Sequence, residues 1–229
     1  MADLHIFGDS FSVAWEQVKV KAPWANQAKY AESFDRDVTH FQDLLKKQFK
    51  LNKIHNHAVG GFDNYSILES IGKFIHKIKE DDYVCIGWSD ISRYRIIYND
   101  KKEWVRLLAG NHTIPSKYKE EVHKEFLYQC VDRDCDLTLK EVTLWQNILK
   151  NALPTNTIYW SPFFVKDKYD NAYPTPDFKF TTITDVSSIT DAHASEEGMI
   201  QIGEWLVELF KDNPFNNRKN DYYIGDRLI

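Results

Sequence analysis

Short apolar runs rich in β-branched residues alternate along this chain with stretches of helical period. The runs fall at 3–7, 53–59, 82–87 and 156–160, each the length of a strand buried on both faces. Between and after them, apolar positions recur at the spacing of an amphipathic helix in 38–50 (VTHFQDLLKKQFK), 64–79 (NYSILESIGKFIHKIK), 137–152 (LTLKEVTLWQNILKNA) and 195–211 (SEEGMIQIGEWLVELFK). Strand and helix in alternation predict a parallel sheet covered by helices, an α/β fold. FKFTTIT at 178–184 alternates and is expected to supply a fifth strand. Ser195 reads as the N-cap of the last helix, with Glu196 and Glu197 set against its positive end.

The rhythm breaks between 98 and 136, where EWVRLLAG (103–110) and KYKEEVHKEFLYQCV (117–131) both look helical, so that a helical insertion beside the sheet is expected. A second departure is 159–178, with three prolines and seven aromatic residues, which predicts a long ordered loop after the fourth strand. The Asn-rich end, 213–229, is expected to be an arm over the surface. Its closing apolar residues would dock on this chain or on a partner, as in a homo-oligomer or a particle assembly. At 229 residues, with no internal repeat, the chain reads as one domain.

Composition narrows the classes. A formal net charge of −5 gives no clustered cationic footprint for nucleic acid. No apolar run reaches the ~20 residues of a membrane span, and MADLHIFGDS lacks the basic flank and apolar core of a signal peptide. Three cysteines, Cys85, Cys130 and Cys135, are too few and odd in number for a disulfide framework. Cytoplasmic synthesis is expected; release by lysis or incorporation into a virion would leave no mark on such a sequence.

Chemistry concentrates at the strand ends. LHIFGDSFS (4–12) runs a strand into Gly8-Asp9-Ser10, a tight turn that lifts a hydroxyl to the carboxyl edge of the sheet, where open α/β sheets place their ligands. NHAVGGFDN (56–64) follows the second strand, CIGWSD (85–90) ends the third, and DAH (191–193) precedes the last helix. Nucleophilic acyl transfer needs a serine, a histidine, an acid and oxyanion donors. Ser10, His193, Asp191 and the glycine turns supply each type at positions the topology would bring to one rim. Each has a bland alternative: Ser10 as a cap, His193 as a surface residue beside a helix start, Gly60-Gly61 as a flexible turn.

The order and spacing of these segments resemble the SGNH/GDSL hydrolase family of esterases, lipases, carbohydrate deacetylases and acyltransferases. GDS at 8–10 is similar to its nucleophile block, NHAVGG at 56–61 to its second and DAHASEEG at 191–198 to its last. The resemblance implies a flavodoxin-like three-layer sandwich with Ser10 as nucleophile, His193 as base and Asp191 as its orienting acid. It further implies the Ser10 and Gly61 amides as oxyanion donors, and no cofactor or metal. Two positions depart from the family pattern. Ser89 in Gly87-Trp88-Ser89-Asp90 stands where an Asn donor is usual, leaving the Ser89 hydroxyl or Asn64 as substitutes. Thr190 stands where the acid is usual, with Asp191 one place nearer the histidine and Asp185 a less favoured candidate. IGWSDISR is also similar to segments of phage-encoded members.

The expected substrate is a small ester or an acylated glycan. Trp88 and the 159–178 loop would offer aromatic faces to a sugar, and Arg93, with Arg95, a cation to an acidic one. A transferase of the same fold, or a member retained for binding or structure without turnover, remain alternatives. Other constellations are incomplete. His55 and His57 share one strand face but have no third metal ligand nearby in sequence. Asp132, Asp134 and Asp136 begin like a calcium loop, yet Leu137 replaces its glycine and Thr143 its bidentate Glu.

Overall fold

The computed structural model describes residues 1–90, 93–98, 103–108, 135–162 and 175–212. In chain order these form β1 (Leu4–Phe7), α1 (Trp15–Lys21), α2 (Asn26–Glu32), α3 (Phe41–Gln48), β2 (Ile54–Asn56), α4 (Asn64–Phe74) and β3 (Tyr83–Gly87). They continue with β4 (Arg93–Tyr98), β5 (Glu103–Leu108), α5 (Cys135–Leu149), β6 (Thr157–Trp160), α6 (Ile183–Val186) and α7 (Glu196–Asp212). Strands β2, β1, β3 and β6, in that order, make a parallel four-stranded sheet with helices against it, an α/β fold.

Alternation along each strand divides the core in two. Leu4 and Ile6 of β1, Cys85 of β3 and Ile158 and Trp160 of β6 pack with Phe41 and Leu45 of α3 and Met199, Ile202 and Leu206 of α7. On the opposite face Phe7, Val84, Ile86 and Tyr159 meet Ile67 and Ile71 of α4 and Val142 and Leu149 of α5. Burial on both faces is why these strands read as continuous apolar runs. Helices α3 and α7 approach closely: a Cβ on Gly203 would stand 3.2 Å from the Phe41 Cα. Their N-terminal ends are tied by Arg36, which donates two hydrogen bonds to Glu196, while Thr39 N–H donates to the same carboxylate. Helices α3 and α4 begin at side-chain caps, with Gln42 N–H donating to His40 and Ser66 N–H to Asp63.

The expected elements are corrected at three places. The fifth strand is absent: FKFTTIT makes a single antiparallel bridge, Thr182 with Ala194, and then turns into α6. The Asp185 carboxylate accepts from both the backbone N–H and the hydroxyl of Thr182, and this local start signal prevails over the alternation. The helical insertion at 98–136 is contradicted where it is described, because Glu103–Leu108 is a strand paired antiparallel with Arg93–Tyr98. A window as short as EWVRLLAG fits either period, and the neighbouring run provides the backbone to pair with. Helices α1 and α2 occupy a stretch for which no element was expected. The expected helix at 117–131, residues 163–174 of the aromatic loop and the arm at 213–229 lie outside the described residues. Among the described residues no helix is long and apolar enough to cross a membrane.

Candidate active site

The chain leaves β1 leftward to β2 and returns to β3 on the other side of β1, so the carboxyl ends of β1 and β3 flank the point where the strand order reverses. Gly8 and Gly87 let these ends close on each other. A Cβ at Gly8 would lie 2.3 Å from Ser12 Oγ and 3.0 Å from the Gly87 carbonyl. Beyond Gly8 the chain turns through Asp9–Ser12, closed by Ser12 N–H donating to the Asp9 carbonyl (3.0 Å) and Phe11 N–H to Asp9 Oδ1 (3.0 Å). Ser10 sits at the crest of that turn, partly exposed, its carbonyl held by the Gln27 side chain of α2.

His193 comes from the connection between α6 and α7. Its carbonyl accepts from Ile183 N–H (2.9 Å), and Ser195 N–H donates to the Thr181 carbonyl (2.9 Å). Asp191 is held by Thr184, whose hydroxyl oxygen accepts from the Asp191 N–H at 2.7 Å. With both residues fixed, His193 Nδ1 stands 2.5 Å from Asp191 Oδ1 and His193 Nε2 stands 2.7 Å from Ser10 Oγ. The Phe11 ring packs 4.7 Å from the imidazole. Burial works to raise the Asp191 carboxyl, but the ring and amide of His193 outweigh it and hold it below the ordinary carboxylate value. A carboxylate at Nδ1 selects the tautomer with the proton there, which leaves Nε2 as acceptor for the Ser10 hydroxyl. Asp185 is directed to Thr182 instead, and Thr190 contributes only its carbonyl, which accepts from Asn26.

The second glycine turn lies against the same serine. A Cβ on Gly60 would be 3.9 Å from Ser10 Cβ, and Gly61 takes φ +78°, the left-handed value that a type II turn requires at that position. The turn is closed by Phe62 N–H donating to the Val59 carbonyl, and Val59 N–H donates to the Gly8 carbonyl. Neither the Ser10 nor the Gly61 amide has a hydrogen-bond acceptor among the described residues.

Four expected site residues stand differently. The Ser89 hydroxyl donates to Asp9 Oδ2 (2.8 Å) instead of facing Ser10. Asn64 exchanges two hydrogen bonds with the Ser89 backbone, its Oδ1 accepting from Ser89 N–H (2.7 Å) and its Nδ2 donating to the Ser89 carbonyl (3.1 Å). Trp88 is fully buried, stacked with Tyr159 and tilted against Trp145, so it is a core residue with no face for a sugar. Arg93 turns inward: its Nη1 lies 2.9 Å from Asp9 Oδ2 and donates to the Phe62 carbonyl at 3.1 Å.

Asp9 is thus the centre of a buried network that its place in the Gly8-Asp9-Ser10 turn does not reveal. Burial pushes its carboxyl above the usual range, while Arg93, the Phe11 amide and the Ser89 hydroxyl pull the other way. Every partner donates to it, the pattern an ionised carboxylate requires. His55 and His57 do share a face, stacked with His5 of β1. No group of three or more His, Cys, Asp or Glu among the described residues is placed to hold a metal ion. No protein-family model matches this chain, and no curated protein matches it.

Proposed function

We propose that this chain is a serine ester hydrolase of the SGNH/GDSL type, with Ser10 as nucleophile, His193 as general base and acid, and Asp191 as the orienting carboxylate. The observation that carries the reading is the continuous relay from Asp191 Oδ1 through both ring nitrogens of His193 to Ser10 Oγ. Three residues drawn from opposite ends of the chain meet there in the order acyl transfer needs. The strand order, first four places of a flavodoxin-like sheet, with helices on both faces, supports the family reading of the fold.

In the first step Ser10 Oγ attacks the acyl carbon as its proton passes to His193 Nε2, and Asp191 stabilises the imidazolium. The carbonyl oxygen becomes an oxyanion facing the Ser10 and Gly61 amides. Collapse of this intermediate expels the alkoxide, which takes the proton from His193. In the second step His193 deprotonates a water that attacks the acyl-enzyme, releasing the acid and restoring Ser10. The chemistry needs no cofactor. A carbohydrate O-acetyl ester is the substrate class we favour; a hydroxyl in place of water in the second step would make the protein an acyltransferase.

One observation favours a second reading, a binding or structural protein with little turnover, such as a phage particle component. Ser89 and Asn64, the only side chains expected to donate to the oxyanion, are directed elsewhere, and a lost donor costs about 10²- to 10³-fold in turnover. A serine-directed fluorophosphonate separates the two. The hydrolase labels as wild type and not as Ser10→Ala, and it releases acetate from acetylated glycans or short aryl esters. A folded wild type that never labels and releases no acid overturns the enzyme reading.

A further inference from the structure

We propose that Arg93 is the positioning residue of this site: its guanidinium clamps the nucleophile turn to the glycine turn and so sets the distance between the two amides that face the oxyanion. The inference rests on the acyl-transfer reading and concerns how that site works without a side-chain oxyanion donor.

The two amides belong to separate loops. Ser10 N–H is on the Asp9–Ser12 turn after β1, and Gly61 N–H is on the Val59–Phe62 turn after β2. Among the described residues one backbone bond joins the loops directly, Val59 N–H to the Gly8 carbonyl, at the first residue of the glycine turn and before the nucleophile turn. Side chains add to it: Asn56, which precedes the glycine turn, donates to the Ser12 carbonyl at the far end of the nucleophile turn, and Arg93 bonds directly beside the two donors. Its Nη1 is 2.9 Å from Oδ2 of Asp9, the residue before Ser10, and 3.1 Å from the carbonyl of Phe62, the residue after Gly61. One guanidinium nitrogen therefore touches the chain neighbours of both donors.

The surroundings make this bridge stiff. Asp9 is buried, its Oδ2 shared by Arg93 and the Ser89 hydroxyl and its Oδ1 held by the Phe11 amide. Ser89 is itself locked by the reciprocal pair with Asn64, which is the first residue of α4 and follows the glycine turn. Arg93 is only 11 % exposed and opens β4, whose pairing with β5 anchors its backbone. One guanidinium nitrogen, Nη1, serves the carboxylate and the carbonyl together with its two N–H bonds fixed in the guanidinium plane, whereas a lysine ammonium would reach them on a flexible stem with freely rotating donors. The residue at the usual side-chain donor position, Ser89, thus belongs to the support of the backbone donors. Because oxyanion donors must be held within ~0.5 Å of their productive places, loosening the clamp acts on the transition state more than on substrate binding.

The test compares wild type, Arg93→Lys and Arg93→Met, each first shown to be folded by circular dichroism and thermal melting, in fluorophosphonate labelling rate and in aryl-ester kinetics. Expected are a fall of at least about tenfold in labelling rate and kcat for Arg93→Met, KM changed by less than about threefold, and partial recovery in Arg93→Lys. The double variant Asp9→Asn/Arg93→Met, in which no buried charge is left unpaired, stays as slow as Arg93→Met; its return to the wild-type rate would show that Arg93 only neutralises Asp9 and would overturn the clamp. Folded single variants labelling at the wild-type rate, or a loss confined to KM, overturn it as well. Should Arg93→Met not fold, Arg93→Lys carries the test alone, a wild-type rate again overturning the clamp. A wild type that does not label overturns the acyl-transfer reading itself, a result distinct from any of these.

Discussion

At the scale of single residues, the site separates groups recognisable by type from groups whose meaning depends on direction. Ser10, His193 and Asp191 were legible because acyl transfer admits few residue types and each stood beside a turn or a helix start. Ser89, Asn64, Trp88 and Arg93 stand in segments that follow the strand ends, but a side chain's heading is not written in its spacing. Arg93 could have met solvent and Trp88 a sugar; instead one meets Asp9 and the other Tyr159. The acid is the sharpest test at this scale. Asp191→Asn keeps the shape but offers Nδ1 an amide in place of a carboxylate, losing the preferred tautomer and the support for the imidazolium. Labelling rate and kcat are expected to fall by roughly 10³- to 10⁴-fold with little change in the melting temperature. Asp185→Asn, removed from His193, is expected to leave both rates near wild type.

At the scale of elements, the placement of the His193 imidazole depends on how α7 starts. Ser195 accepts from Gly198 N–H and donates to the Thr181 carbonyl, joining the helix to the segment that bridges Ala194 through Thr182 and holds the His193 carbonyl through Ile183 N–H. A Cβ on Gly198 would come 2.1 Å from the Thr181 carbonyl oxygen, a backbone atom that cannot swing aside. Gly198→Ala is therefore expected to destabilise the protein by about 1–3 kcal/mol, read by urea denaturation, and to slow labelling because the His193 connection shifts with the helix. Gly72→Ala in α4 is the control: nothing lies within 4 Å of the added methyl, and Ala is the better helix former by roughly 1 kcal/mol, so stability should be unchanged or higher. Element boundaries were legible for the long periodic segments, such as α7 at 196–212 against the expected 195–211. They were lost in short windows, where the Thr182–Asp185 start signal and the β4–β5 pairing decided between helix and strand.

At the scale of the whole molecule, the sheet carries a second polar cluster on its α4 side. His5, His55 and His57 stack there, with Asp82 near His5, Asp3 near His55 and Phe74 against His57. Burial lowers the His5 and His57 values, His57 to about 4, with the neighbouring imidazoles and, for His57, Lys77 adding to the effect, while Asp82 and Asp3 oppose it at His5. A folded-state value below the unfolded ~6.5 means that the unfolded chain binds more protons in between, so stability falls as pH drops from about 6.5 toward 4. Buried His40, lowered to about 3, extends the loss further down. The urea midpoint is expected to decrease between pH 7 and pH 5 in wild type and to decrease less in His57→Phe, whose ring would stack between Phe7 and Phe74 as the imidazole does. An equal decrease in both would remove His57 from the account.

The sequence by itself determined the alternation of strand and helix, because burial on both faces of a parallel sheet demands continuous apolar strands and one-sided helices, and both leave periodic marks. It also determined which residue types stood where acyl chemistry would need them. The tertiary structure alone decided that Ser10 and His193, 183 positions apart, lie within a hydrogen bond, which polar groups turn inward to Asp9, and that the sheet stops at four strands among the described residues. These depend on pairings between distant segments, and the energy of such a pairing belongs to neither segment read alone.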